Sequence, residues 1–126
     1  MTETAPLKRL LLIDDDDSVR ELFEVAMGKR FTVAVAEDGA KGLAKVPAFK
    51  PQLIVLDLMM PHLNGFEVIH QLQALGYAEI PVIVITGYSD KANESIVSAE
   101  ANVVGFFHKP LKFEELTAKI NALLGA

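Results

Sequence analysis

The chain has 126 residues, a 51% hydrophobic fraction and a formal net charge of −5. That fits one domain able to bury about two-thirds of its unfolded surface. The acidic balance argues against nucleic acid as a direct partner, because affinity for phosphate backbones comes from clustered Lys and Arg. The lack of cysteine removes disulfides and thiolate zinc sites.

No apolar stretch approaches the length of a membrane span, so no membrane insertion is expected. The opening MTETAP lacks the basic and apolar regions of a signal peptide and reads as a natural amino terminus. A cytoplasmic location is the expectation.

The first apolar run, LLLI at 10–13, reads as a strand and ends in four aspartates, Asp14 to Asp17. Adjacent carboxylates raise one another's cost of ionising, so something must neutralise them, or only some of them share a site. The next four residues, SVRE at 18–21, read as a capping box, with Ser18 capping a helix and Glu21 reaching back. On this reading Asp16 and Asp17 favour the helix dipole. Val19, Leu22, Phe23, Ala26 and Met27 carry the helical spacing.

A second strand, FTVAVA at 31–36, precedes a helical segment around Ala40, Leu43 and Ala44 that is expected to be short. The third strand, LIVLDL at 53–58, holds Asp57 inside an apolar run, where an unpartnered carboxylate is costly. Pro61 fits a rigid loop, and Asn64-Gly65 a turn into a helix bearing Phe66, Ile69, Leu72 and Leu75.

The fourth strand, PVIVIT at 81–86, ends in Thr86. A helix from Ser89 to about Glu100 follows, with a weak stripe of Ala92, Ile96 and Ala99. VVGFF at 103–107 is the fifth strand, with Lys109 just beyond it, and Phe113, Leu116, Ile120, Leu123 and Leu124 mark the last helix. His62, His70 and His108 read as a loop, an exposed helix and a strand-end residue, with no metal spacing among them.

Strict alternation of strands and helices implies βαβ units and a parallel sheet covered on both faces. The runs at 53–58 and 81–86 are the most continuously apolar and should be central, whereas Thr32 and Gly105 mark edges. Sites in such sheets lie beyond the carboxyl ends of the strands, at the topological switch point. Asp14, Asp15, Asp57, Thr86 and Lys109 all fall at that end.

The segments LLIDDDDSVRELF, LIVLDLMMPHLNGFEVI, PVIVITG and GFFHKPL, in this order, resemble the receiver domain of bacterial response regulators over essentially the whole chain. The resemblance implies a flavodoxin-like doubly wound sheet of order 2-1-3-4-5. It implies that Asp57 accepts a phosphoryl group from a sensor histidine kinase or a histidine phosphotransfer protein. Asp14, Asp15 and Asp57, with the backbone carbonyl of Met59, would hold Mg2+; a one-residue slip leaves Asp15 and Asp16 as the alternative acidic pair.

Lys109 and the Thr86 hydroxyl would engage phosphoryl oxygens, and a cis Lys109-Pro110 bond is expected. Thr86 and Phe106 form the implied switch, with Phe106 where the family often has tyrosine, and Gly87 leaves room for the phosphoryl group. The chain would then be a signalling switch that catalyses its own phosphorylation and dephosphorylation. It would alter binding to a downstream protein effector through the fourth helix, fifth strand and fifth helix. Met59 and Tyr88, bulky and without a group to orient water, imply a long-lived phosphorylated state.

Two other readings compete. A haloacid dehalogenase-like aspartate-nucleophile phosphatase also combines Asp, Thr, Lys and magnesium, but needs a second Asp two residues after the nucleophile, where this chain has Met59. A flavin-binding domain would want a Ser/Thr-rich phosphate loop after the first strand, where four aspartates would repel it.

Overall fold

The computed structural model describes residues 6–87 and 91–125. Within these, strands and helices alternate: β1 (Arg9–Ile13), α1 (Asp17–Met27), β2 (Thr32–Ala36), α2 (Gly39–Phe49), β3 (Leu53–Asp57), α3 (Gly65–Ala74), β4 (Val82–Thr86), α4 (Lys91–Ser98), β5 (Val103–His108) and α5 (Phe113–Leu124). Every strand pairing is parallel, and the order is β2-β1-β3-β4-β5. Among the described residues no helix is long and apolar enough to cross a membrane.

The continuous apolar runs of β1, β3 and β4 follow from coverage on both faces, each face taking alternate residues. Leu11, Ile13, Ile54, Leu56, Val82 and Val84 pack against Val46, Val68, Ile69, Leu72 and Val97 of α2, α3 and α4. Their neighbours Leu10, Leu12, Leu53, Val55, Ile83 and Ile85 pack on the other side against Phe23, Met27, Leu116 and Ile120 of α1 and α5. Burying each such side chain contributes about 1.5–3 kcal/mol, which fixes the register of the central strands.

The edge strands differ. β2 is only partly buried along most of its length, and so is β5. Val82 pairs with Val103 but Ile83 with Gly105, so Val104 is an extra residue on β5. The bulge bends that edge, and Gly105 beside it lacks the side chain that would hold a regular ladder.

Two local expectations are corrected. α2 spans 11 residues and is not short. Gly42 and Pro47 mask it in the sequence: a Cβ at Gly42 would come within 2.4 Å of Ile13 Cδ1, so glycine lets the helix sit close on β1. Pro47 falls in the last turn, just before the helix closes at Lys50 in the left-handed region (φ 53°).

The cap of α1 is Asp16, whose carboxylate accepts from the amides of Ser18 (2.9 Å) and Val19 (3.4 Å), while Ser18 lies inside the helix. An aspartate at the residue before the helix intercepts the orphan amides first. The reciprocal capping box occurs instead at α3, between Asn64 and Glu67.

Candidate functional site

The carboxyl ends of β1, β3, β4 and β5 converge on one cleft of about 410 Å³, lined by Asp15, Asp16, Asp57, Met59, Gly87 and Lys109. A groove of about 470 Å³ between α1 and α5 carries no converging carboxylates, so size alone does not locate the chemistry. At the cleft, carboxylate oxygens of Asp14, Asp15 and Asp57 all lie within 4.8 Å of one another. Asp14 and Asp57 are buried and Asp15 is exposed.

Asp14 follows directly on β1. Its amide donates to Ala36 O at 3.1 Å, which continues the pairing with β2, and its Oδ1 accepts from the Asp16 amide at 2.9 Å. Its Oδ2 is sealed from solvent and ion-paired with Lys109 Nζ at 2.9 Å. Asp57 closes β3, its Oδ1 accepting from the Met59 amide at 3.2 Å and its Oδ2 lying 3.4 Å from Lys109 Nζ.

Gly65 opens α3 directly against this strand end. A Cβ there would lie 2.7 Å from Leu58 Cα and 2.9 Å from Asp57 O, so only glycine allows the approach.

The electrostatics follow from this crowding. Burial, and then the neighbouring Asp14 charge, push the Asp57 carboxyl up to about 7, despite Lys109 and the Met59 amide. For Lys109 burial pulls downward, but bonding to Asp14 and the charge of Asp57 outweigh it, and the ammonium is held above its usual value. Among the described residues Lys109 thus meets two of the three clustered carboxylates, Asp14 and Asp57. Three clustered carboxylates, two of them buried and both ion-paired with the single ammonium of Lys109, offer hard oxygens that fit a dication such as magnesium.

Thr86 ends β4 and is buried, and its carbonyl accepts from the Lys109 amide at 2.8 Å. The Lys109-Pro110 bond is cis, as expected. Phe106, on β5, is half-buried against the α2–α3–α4 side of the core, with its ring centroid 5.4 Å from that of His108. Tyr88 lies outside the described residues.

Of the four consecutive aspartates, Asp14 and Asp15 reach Asp57, Asp16 caps α1, and Asp17 pairs with Arg20. His62 lies in the loop before α3, His70 pairs with Glu100 on the exposed side of α3, and His108 ends β5. None joins the acidic cluster. The sequence did not single out Arg20, whose Nη1 donates to Asp14 O at 2.8 Å. Its only sequence signal is the helical spacing to Asp17.

Residues 10–121 match the response regulator receiver domain family. The response regulator MprA of Mycobacterium ulcerans is 37% identical over 92% of this chain and 50% of its own length. MprA of Mycobacterium leprae is 38% identical with the same coverage. The chain therefore spans about half the length of these curated relatives.

Among solved structures, a CheY-like receiver domain protein from Methanospirillum hungatei JF-1 superposes with a TM-score of 0.85 at 28% identity, covering 94% of both chains. The Vibrio cholerae chemotaxis protein CheY4, at 24% identity and a TM-score of 0.84, covers 94% of this chain and 99% of its own, a likeness of fold.

Proposed function

Because the chain belongs to the response regulator receiver domain family of two-component signalling, we propose that Asp57 accepts a phosphoryl group from a phosphohistidine on a sensor histidine kinase or histidine phosphotransfer protein. The observation that carries this reading is the buried Asp57 carboxylate at the end of β3, grouped with Asp14 and Asp15 and 3.4 Å from the Lys109 ammonium. An Asp57 oxygen attacks phosphorus, the bond from phosphorus to the histidine nitrogen breaks, and the imidazole leaves with the electron pair and takes up a proton.

Charge in this transfer spreads over the equatorial phosphoryl oxygens, so positioning and neutralisation do most of the work. Lys109 stays protonated beside the acceptor and binds one of those oxygens. The Thr86 hydroxyl donates to another from the end of β4. Asp14, Asp15, Asp57 and the Met59 carbonyl would hold Mg2+, which would supply counter-charge for the carboxylates and the phosphoryl oxygens. Asp16 and Asp17 are left to the start of α1.

The chain thereby supplies the acceptor and the catalytic groups for its own phosphorylation and dephosphorylation. Engagement of Thr86, with Phe106 following, alters the face formed by α4, β5 and α5, to which a downstream protein effector binds. A net charge of −5 favours a protein over nucleic acid as that direct partner.

Acetyl phosphate with magnesium should label the wild type with a single base-labile acyl phosphate. Asp57→Asn, which removes the nucleophile at constant size, should reduce labelling to background, and chelation of magnesium should do the same. Full labelling of the variant at another residue overturns the assignment. Steady release of phosphate without an accumulating acyl phosphate would favour phosphatase chemistry instead.

A further inference from the structure

Asp14 to Asp16 connect β1 to α1, and Asp14 is tied down at four points: its amide to Ala36 O, its Oδ1 to the Asp16 amide, its Oδ2 to Lys109 Nζ, and its carbonyl to Arg20 Nη1. Asp15 is placed differently. It is exposed, and among the described residues nothing bonds to its carboxylate, although that carboxylate is one of the clustered three. Its backbone therefore sets the origin and the line of its Cα–Cβ bond, from which its own rotamers reach the cluster. A peptide is planar, so the carbonyl oxygen of Asp14 and the nitrogen and Cα of Asp15 move as one unit. A donor that holds that oxygen holds the line along which Asp15 leaves the turn.

We infer that Arg20 is a positioning residue for the metal-binding acids, aiming Asp15 through the Asp14–Asp15 peptide. The inference rests on the reading of Asp14 and Asp15 as magnesium ligands. The guanidinium is suited to the task because its donors sit in a rigid planar fork. Nη1 donates to Asp14 O at 2.8 Å while Nη2 engages the Asp17 carboxylate, and the side chain is only 15% exposed. The fork thus ties the acidic turn to the first turn of α1, the same turn that Asp16 caps. A lysine carries its charge at a single point and cannot span both acceptors.

The charge on Arg20 makes the test decisive in sign. A cation beside a dication site repels the ion, so if Arg20 acted only as a charge, removing it would tighten magnesium binding. As a brace, its removal loosens binding. Magnesium titrated calorimetrically into the metal-stripped full chain should show the dissociation constant of Arg20→Met raised on the order of tenfold, as for other groups that orient a ligand from behind.

Arg20→Lys keeps the charge but not the fork and should fall between wild type and Arg20→Met. In metal-free protein, the Asp16 amide should exchange faster in Arg20→Met while those of Leu11 and Leu56 keep their protection. At saturating magnesium, acyl phosphate labelling should return to the wild-type extent.

Unchanged or tighter magnesium binding by Arg20→Met overturns the inference. So does an equal loss of protection across β1 and β3 in both variants, which would mark a general defect of folding. Failure of the wild type to bind magnesium would overturn the metal assignment beneath the inference. That result is distinguishable, because the exchange difference at Asp16 needs no metal.

Discussion

The two sides of the cleft are built differently. On one side, Asp14 and Asp57 end β1 and β3, strands buried on both faces, and Gly65 presses α3 onto the backbone beside the acceptor. On the other, Thr86 is buried, but the structure next to it is lightly held: β5 is a partly exposed edge with a bulge, and among the described side chains of α4 only Val97 is buried. Local opening is cheapest where few apolar contacts must be broken. On the proposed function the chemistry would therefore fall on the more tightly packed side of the cleft and the response on the more lightly held side.

Two glycines probe that contrast most strongly. Gly65→Ala forces a Cβ against the Leu58 and Asp57 backbone and should cost roughly 2–3 kcal/mol in urea unfolding. At Gly87→Ala the added carbon meets only Lys109 Cδ at 3.9 Å, and the cost should stay under about 0.5 kcal/mol. Equal costs would mean that the two sides are packed alike.

The next largest effect is one of pH. The Asp57 carboxyl is raised to about 7, by burial first and Asp14 second, so its charged form is the disfavoured one in the folded protein. The penalty is absent below the unfolded value near 4, grows as pH rises through the interval, and is complete above 7. Asp57→Asn should accordingly stabilise metal-free protein on the order of 2 kcal/mol at pH 8 and leave it unchanged below pH 4, measured by urea unfolding. Excess magnesium should shrink the gain at pH 8. A gain independent of pH would point to packing instead of charge.

Smaller again is the effect of opening the cleft to water. Met59 is 51% exposed at its rim. Replacing it by Asn together with Tyr88→Glu should speed loss of the acyl phosphate roughly tenfold at fixed magnesium. Unchanged or slower decay would show that access at these positions does not set the lifetime.

The subtlest effect belongs to the yielding side. Thr86→Ala should still accept phosphate, but the phosphorylation-dependent change in amide exchange over residues 91–112 should fall to less than about half of the wild-type change. An identical response in both proteins would rule out coupling through the Thr86 hydroxyl.

Two strand ends were legible because a short apolar run stops at a polar residue, Ile13 before Asp14 and Ile85 before Thr86, whereas the third run was read through Leu58, since apolar residues flank Asp57 on both sides, and the strand closes at Asp57. Edge and centre could be ranked from Thr32 and Gly105. A helix around Ala40, Leu43 and Ala44 was legible but its length was not, because buried Gly42 and Val46 are too small and sparse to show a stripe and Pro47 looks like a stop.

The cap of α1 was misassigned because four consecutive acids and a serine all offer oxygen, and only the backbone decides which one meets the free amides. Arg20 went unnoticed for a related reason. Its partner is a main-chain carbonyl, which leaves no trace in the residue types.

The hydrogen bond from the Lys109 amide to the Thr86 carbonyl, at 2.8 Å, extends the β4–β5 ladder beyond its last paired residues, Thr86 and His108. It splices the main chains of the two strands at the edge of the cleft that Gly87 and Lys109 line. On the proposed function, a shift of the Thr86 main chain toward the phosphoryl group would be passed to the lysine and to the edge strand behind it, whereas rotation of the hydroxyl alone would not. In their proposed roles clamp and sensor would share one hinge pin, so a substitution that loosens this rung should blur the timing between capture of the phosphoryl group and presentation of the outer face, even with every polar side chain intact.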